Sequence, residues 1–176
     1  MTHLDEFILE NKEVTPINRS PDIEKIGQVA EKKIQEWAEF HNYKFIRYDQ
    51  TIESFAPSFR PSQIKRPDYE LQIHSVGKIA VEVKSRKLNT TFDNFTIDEE
   101  EIQKLLGFQA EFYIPVWIAI SCPDNNYNTW YWISLNDILI KGKMKTRIKD
   151  GKRFRAVIIK DFITIGWKDG VEKLVQ

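Results

Sequence analysis

The chain has 176 residues, 41% of them hydrophobic and 30% charged, which suits one soluble globular domain with a sizeable core. Its 26 basic and 26 acidic residues cancel, so bulk charge predicts no partner. A single cysteine excludes an intrachain disulfide and a cysteine-cluster zinc site. The longest apolar run, at 114–122, is about half as long as a membrane-spanning helix requires. We expect one domain over residues 1–176, located in the cytoplasm and not associated with a membrane.

The first half of the chain predicts a helix and then three strands. The helix covers 20–43, with Ser20 as its N-cap and Pro21 at its first position. Apolar residues at steps of three and four predict one buried stripe: Ile26, Val29, Ala30, Ile34, Trp37 and Ala38. The strands follow at KFIRYD (44–49), YELQIH (69–74) and KIAVEVK (78–84). A loop at 50–67 precedes the last two strands, which a short connection joins into a hairpin.

The second half predicts a polar loop, a helix and two strands. The loop is LNTTFDNFT (88–96), and the helix over 97–113 has four candidates for its inner face, namely Ile102, Leu105, Leu106 and Phe112. The strands are PVWIAIS (115–121), which is apolar throughout, and TWYWISL (129–135). A strand, a helix and a strand in succession predict a parallel crossover within a mixed sheet.

Three charged residues occupy the ends of the two hairpin strands, where burial of an unpaired charge is costly. Asp68 precedes the first strand, while Glu82 and Lys84 end the second. Because successive strand residues point to opposite faces, Glu82 and Lys84 share one face. The hairpin returns the chain so that Asp68 approaches them. A structural ion pair is the simpler alternative, but an exposed pair contributes little to stability.

Two carboxylates held together repel each other unless a cation neutralises them. Mg²⁺ suits such a pair, because it takes one or two protein carboxylates and fills its other positions with water and phosphate oxygens. The predicted ligands are Asp68, Glu82 and the carbonyl of Val83, and we expect Mn²⁺ to substitute for Mg²⁺. Lys84 would orient the nucleophilic water or help to deprotonate it. The constellation predicts hydrolysis of a phosphodiester.

The segment RPDYELQIHSVGKIAVEVKSR, at 66–86, resembles the signature of the PD-(D/E)XK nuclease superfamily. Pro67-Asp68 matches the first half of that signature, and Glu82-Val83-Lys84 matches the second. The resemblance implies an α/β fold with a restriction-endonuclease-like core, in which helices flank a mixed β-sheet. It also implies Mg²⁺ dependence and a DNA substrate.

Within that superfamily, residues 27 to about 121 most resemble archaeal-type Holliday-junction resolvases. GQVAEKKI, at 27–34, resembles the upstream helix of these nucleases, in which a glutamate contributes to the site; here that residue is Glu31. The resolvases have a glutamine at the start of the second helix where this chain has Glu101. Because of that departure, the role of the glutamine is not transferred to Glu101.

The stretch 141–155 has eight basic residues and one acidic residue, a local excess of +7. Its first five basic residues alternate with others and would share one face of a strand: Lys141, Lys143, Lys145, Arg147 and Lys149. Asp150-Gly151 predicts a hairpin turn, after which 152–159 returns as the partner strand. We expect a C-terminal β-hairpin addition at about 141–165 to a core at about 20–135. Its predicted DNA contacts are Lys143, Lys145, Arg147, Lys149, Lys152 and Arg153; the alternative is a charged edge that discourages aggregation.

The predicted function is that of a metal-dependent DNA endonuclease, specifically a Holliday-junction resolvase. One alternative is a sequence-specific endonuclease of restriction or homing type, in which the loop at 50–67 and the hairpin read bases. Others are a DNA-binding module that has lost cleavage, and a subunit of a recombination or transposition assembly. Because two-fold DNA substrates favour symmetric proteins, we expect a homodimer or a higher homo-oligomer.

Overall fold

The structure, a computed structural model, describes residues 21–51, 54, 64–74, 77–88 and 91–175. The predicted N-cap at Ser20 and most of the predicted loop at 50–67 lie outside these ranges. The described residues form three α-helices and two β-sheets. The helices are α1 (Pro21–Phe40), α2 (Glu99–Phe112) and α3 (Leu135–Lys141).

The strands divide into a larger and a smaller sheet. The larger sheet contains β1 (Lys44–Arg47), β2 (Tyr69–Ile73), β3 (Gly77–Ser85), β5 (Val116–Ser121), β6 (Thr129–Ser134) and β9 (Ile163–Gly166). The smaller sheet contains β4 (Asn94–Asp98), β7 (Lys143–Thr146) and β8 (Arg153–Ile158). Within the described ranges, every strand predicted from periodicity is present, and each of its bounds lies within three residues of the expected one.

The larger sheet is mixed, with strand order β1-β2-β3-β5-β6-β9. β2 and β3 form the predicted antiparallel hairpin, whereas β3 and β5 are parallel and are joined through β4 and α2. Val81 and Val83 pack with α1, while their neighbour Ala80 packs with α2. Since neighbouring strand residues point to opposite faces, helices cover both faces of the sheet. The predicted α/β class, a mixed β-sheet flanked by helices, is confirmed.

The prediction of a polar loop at 88–96 is partly wrong, because residues 94–96 belong to β4. Phe95 and Ile97 are buried, at 1% and 4% exposure, and Thr96 between them is exposed. This alternation covers only five residues and begins among asparagines and threonines, so the polar neighbours conceal it in the sequence. β4 pairs antiparallel with β8 and thereby joins the basic hairpin to the body of the protein.

The predicted inner faces of the two long helices need correction. In α1 the buried stripe begins at Ala30, while Ile26 and Val29 are 42% and 45% exposed. In α2 the third apolar residue of the inner face is Phe108, and Phe112 is exposed. Leu106 is only partly buried against the core. Ile102, Leu105 and Phe108, at steps of three, define the side of α2 that faces β5 and the smaller sheet.

The most apolar segment forms a central strand. Ile118, Ala119 and Ile120 of β5 are all buried, and the free Cys122 is buried just beyond them. Trp130 and Trp132 of β6 are fully buried, as expected for core residues. Among the helices of the described ranges, none combines the length and the apolar character needed to cross a membrane.

Candidate active site

Asp68 is held by backbone hydrogen bonds at the entrance to β2. Its N–H donates to the carbonyl of Val81 at 3.0 Å, and its own carbonyl accepts from the N–H of Tyr48 at 3.0 Å. Its side-chain Oδ2 accepts from the N–H of Val83 at 2.7 Å. The hairpin register therefore places the Asp68 carboxylate beside the Glu82-Val83-Lys84 segment, as the sequence predicts.

Glu82 and Lys84 lie on the face of β3 that looks toward α2. Val81 and Val83, on the other face, pack against α1. Glu82 is 1% exposed, and its Oε1 accepts a hydrogen bond from the ammonium of Lys84. A charge can be buried this deeply only with close compensation, and Lys84 supplies part of it.

Two further residues, Lys65 and Glu101, complete a cluster of five charges. Lys65 Nζ donates to Glu82 Oε1 at 2.5 Å and also to Glu101 Oε1. Lys84 Nζ donates to the same oxygen of Glu101 at 2.7 Å. Two ammonium groups thus alternate with two carboxylate oxygens, and Asp68 lies beside this ring. We call Lys65, Asp68, Glu82, Lys84 and Glu101 the charge cluster.

Lys65 is the cluster member that the sequence analysis missed. It lies in the long loop, three residues before Asp68, and has no motif spacing to either strand. Its backbone N–H donates to the carbonyl of Lys104 at 3.1 Å, which fixes this part of the loop against α2. The resemblance transfers no role to Glu101, because the resembling family has glutamine there. The acidic first turn of α2 was the available signal.

The electrostatics of the cluster set Asp68 apart from the other two carboxylates. Burial, reinforced by the neighbouring Glu82 carboxylate, raises the pKa of Asp68 to about 7. The N–H of Val83, then Lys65, then Lys84 oppose that increase. Burial also disfavours the ionised form of Glu101, but Lys84 and Lys65 outweigh it and hold its pKa below the usual range. The result is one carboxyl poised near neutrality beside two paired carboxylates.

The donor set of the cluster fits a divalent cation. Glu82 Oε2 is buried and has no hydrogen-bond partner among the described residues, so this oxygen is available to a ligand. Within those residues no group of three or more His, Cys, Asp or Glu side chains is arranged around one point as a metal cage. Mg²⁺ does not need such a cage, since one or two carboxylates with waters and phosphate oxygens suffice. Asp68 and Glu82 meet that requirement.

Glu31 lies on α1, the helix that packs on the opposite face of the sheet from Glu82 and Lys84. Its carboxylate accepts from Arg47 of β1 at 2.8 Å, and its backbone carbonyl accepts from the hydroxyl of Tyr69 at 3.1 Å. Within the described part of the chain, no hydrogen bond joins its carboxylate to the charge cluster. Its predicted part in catalysis remains a prediction.

The basic hairpin forms as predicted, with a correction to its face. β7 and β8 are antiparallel, and Gly151 takes the left-handed conformation (φ 69°) that the turn requires. Of the five alternating basic residues only Lys143 and Lys145 lie in β7; Lys141 ends α3, and Lys149 is in the turn. The strand is short because it begins only after the capped end of α3 at Gly142. All six predicted DNA contacts are exposed.

The hairpin is attached to the same helix that carries Glu101. Arg147 donates to Asp98 at 3.0 Å, immediately before α2, and also to Asp150 at 3.1 Å. Arg155 of β8 donates to the buried Glu99 at 2.8 Å. This buried pair links the smaller sheet to the first turn of α2, two residues before Glu101.

Comparison with known proteins finds similarity among solved structures. No protein-family model matches the sequence, and no curated protein matches it significantly. Among solved structures, the chain is similar to Hjc, a Holliday junction resolvase of Archaeoglobus fulgidus, with a TM-score of 0.49 and 17% sequence identity. The similarity covers 73% of this chain and 86% of that chain.

The raised pKa of Asp68 predicts a particular pH dependence of stability. The folded state holds the Asp68 proton more tightly than the unfolded state, so the free energy of unfolding should fall as pH rises from about 4 to about 7. Asp68→Asn keeps an acceptor for Val83 N–H but has no such titration. In chelator at pH 8, we expect this variant to be more stable than wild type by about 1–3 kcal/mol. Urea unfolding across the pH range measures the difference.

Asp137→Asn is the control with the opposite sign. A hydrogen bond from Lys141 lowers the pKa of Asp137, so the stabilisation it provides is complete above its unfolded pKa. The difference in the free energy of unfolding between this variant and wild type should therefore stay roughly constant between pH 5 and pH 8. A constant difference for Asp68→Asn as well would contradict the raised pKa of Asp68.

Proposed function

We propose that the protein is a metal-dependent DNA endonuclease of PD-(D/E)XK type with a restriction-endonuclease-like core. The observation that carries the proposal is the close approach of Asp68 and Glu82 beside Lys84. Burial and the neighbouring Glu82 carboxylate raise the pKa of Asp68, and Glu82 keeps a buried oxygen free of any hydrogen-bond partner among the described residues. Two buried carboxylates and a lysine in this arrangement contribute little to the stability of the fold, but they suit phosphodiester hydrolysis.

In the proposed reaction, Asp68 and Glu82 hold the divalent cation. When bound, the cation polarises a phosphoryl oxygen and activates water at neutral pH. Lys84 orients the attacking water and stabilises the developing negative charge, while Glu101 keeps the Lys84 ammonium in place. Lys84 donates to an oxygen of Glu82, and both side chains lie on the same face of β3. That face therefore positions both the proposed metal ligand and the lysine.

The finer proposal is that the substrate is a four-way DNA junction. It rests on the resemblance of residues 27 to about 121 to archaeal-type resolvases. The test is an assay of the full chain on a four-way junction, a linear duplex and a supercoiled plasmid, each with Mg²⁺ and with chelator. Cleavage confined to the junction and to Mg²⁺ supports both parts. Cleavage of duplex or plasmid at defined sites supports the nuclease but overturns the junction. No cleavage of any DNA with Mg²⁺ or Mn²⁺ contradicts the proposal.

We further propose that the basic hairpin contacts the DNA backbone. Lys143 and Lys145 alternate on β7, are exposed, and have no carboxylate partner among the ion pairs of the described residues. Arg147, in contrast, is engaged by Asp98 and Asp150. The two lysines can therefore neutralise phosphates without first breaking an ion pair.

Replacing Lys143 and Lys145 together with alanine should flatten the salt dependence of DNA binding. Each lysine–phosphate contact contributes about 0.9 to the slope of log K against log salt on duplex DNA, so the slope should decrease by about 2. Cleavage by the saturated complex should persist, because neither lysine belongs to the charge cluster. Equilibrium binding across a salt series measures the slope.

Lys44→Ala with Lys168→Ala is the matched control, since it removes two exposed lysines from elsewhere on the chain. This variant should keep the wild-type slope within about 0.5. An equal loss of slope in both variants would indicate a general charge effect. An unchanged slope in the hairpin variant would make the hairpin a charged edge of the smaller sheet.

A further inference from the structure

Lys65 is an unusual component of the charge cluster. In the proposed metal site of Asp68 and Glu82, the lysine assigned to the reaction is Lys84, which lies on the same strand as Glu82. Lys65 instead comes from the loop before β2 and brings a second ammonium to the same oxygen of Glu82. The proposed site for a divalent cation therefore already contains a positive charge, in contact with one of the predicted ligands.

The position of Lys65 is that of a cation among three carboxylates. Its ammonium contacts Glu82 and Glu101 directly, and its charge affects the pKa of Asp68 more than that of Lys84 does. With Lys65 in place, the cluster combines three carboxyl groups with two ammonium groups. Without it, Lys84 alone would face all three, and that excess of negative charge is what attracts a divalent cation.

The two lysines differ in how readily they can leave Glu82. The side chain of Lys84 is 15% exposed and extends from a central strand, whereas that of Lys65 is 29% exposed. The backbone of Lys65 is tied to α2 through the carbonyl of Lys104, so its four-carbon stem can turn toward solvent while the backbone stays in place. Glu101 offers a contact that Lys65 can keep while releasing Glu82.

We propose that Lys65 is a tethered cation that occupies the Asp68–Glu82 site and is displaced from Glu82 when a divalent cation binds. This inference rests on the proposed function, since it takes Asp68 and Glu82 as metal ligands. The metal can bind only while Lys65 is away from Glu82, so the apparent metal affinity is the intrinsic affinity multiplied by that fraction of the time. Lys65 also neutralises the buried carboxylate in the metal-free protein, which stabilises the fold until metal arrives.

The test measures binding of Mn²⁺ to the full chain in the absence of DNA. Binding is detected as a loss of the electron paramagnetic resonance signal of the free ion. Lys65→Met removes the ammonium and keeps the aliphatic stem, and it should bind Mn²⁺ about tenfold more tightly than wild type or better. Lys65→Gln, which keeps a hydrogen-bond donor for Glu82, should shift the affinity in the same direction and serves if the methionine variant folds poorly. In chelator both variants should unfold at lower urea concentration, and Mn²⁺ should remove that difference.

Lys104→Met is the matched control, because it deletes a lysine of α2 that pairs only with Glu100 among the described ion pairs. Its Mn²⁺ affinity should change by less than about twofold. Equal or weaker Mn²⁺ binding by both Lys65 variants, with binding that Asp68→Asn abolishes, would overturn this inference and leave the nuclease proposal intact. Mn²⁺ binding that is absent from wild type and from both Lys65 variants would overturn the two together.

Discussion

Replacement of Asp68 with asparagine, or of Glu82 with glutamine, is expected to reduce Mg²⁺-dependent DNA cleavage by about 10³-fold or more. Each change removes one negative charge from a pair that a divalent cation requires, while shape and hydrogen-bonding capacity remain. Asp68→Asn is the cleaner of the two, because its carboxamide oxygen still accepts from Val83 N–H. Glu82→Gln leaves Lys65 and Lys84 with Glu101 as their shared partner. Single-turnover cleavage at saturating DNA measures the effect.

Glu70→Gln is the matched control for these variants. Glu70 is a buried carboxylate on the same hairpin, but it pairs with Lys78 and Tyr48 and lies outside the charge cluster. Its replacement should leave the single-turnover rate within about threefold of wild type, because no charge of the proposed metal site changes. Wild-type rates in Asp68→Asn or Glu82→Gln would contradict the assignment of the site. Equal losses in all three variants would indicate damage to the fold.

Replacement of Lys84 with methionine is expected to reduce the rate of the chemical step by about 10²–10⁴-fold while DNA affinity remains. The ammonium lies between Glu82 and Glu101 on the strand face that also presents the proposed metal ligand, so its loss would remove the group proposed to orient water. Metal affinity should be no weaker than in wild type, because a competing positive charge leaves the site. Single-turnover rates and equilibrium DNA binding, measured on one preparation, separate the two effects.

The opposite pattern for Lys84 would change its assignment. If DNA affinity decreases strongly while the bound enzyme cleaves at the wild-type rate, Lys84 is a phosphate contact. Lys65→Met distinguishes the two lysines in the same assay, since it should increase metal affinity and keep Lys84 on Glu101. Comparable rate losses in both variants would mean that the two ammonium groups act as one unit.

Local periodicity predicted most of the larger sheet. Alternation in YELQIH and KIAVEVK, with a short connection, determines the hairpin and therefore the face shared by Glu82 and Lys84. The same argument failed at β4, where Phe95 and Ile97 are separated from other apolar residues by polar neighbours. That strand exists because β8 supplies its backbone partners and α2 covers its buried face. Neither contact is visible in a five-residue window.

The basic hairpin illustrates the limit of charge patterning. The alternation of lysines predicted a longer strand than β7, because nothing in the spacing marks Lys141 as the end of α3. The N–H of Gly142 donates to the carbonyl of Ile138 at 2.9 Å and ends that helix, so the strand begins only at Lys143. Ion pairs with Asp98 and Asp150 then separate Arg147 from the two lysines of β7.

The sequence by itself determined the hairpin, the crossover and the three residues Asp68, Glu82 and Lys84, because each follows from alternation and short-range connections along one or two strands. Only the tertiary structure decided which charges meet them. Lys65 reaches Glu82 from a loop, and Glu101, 36 residues further along the chain, reaches Lys65 and Lys84 from a helix. Their meeting depends on how that loop lies against α2 and how α2 packs on the sheet. Coulomb interactions depend on distance in space, so the pKa of Asp68 and the position of Lys65 at the proposed metal site are properties of the folded chain.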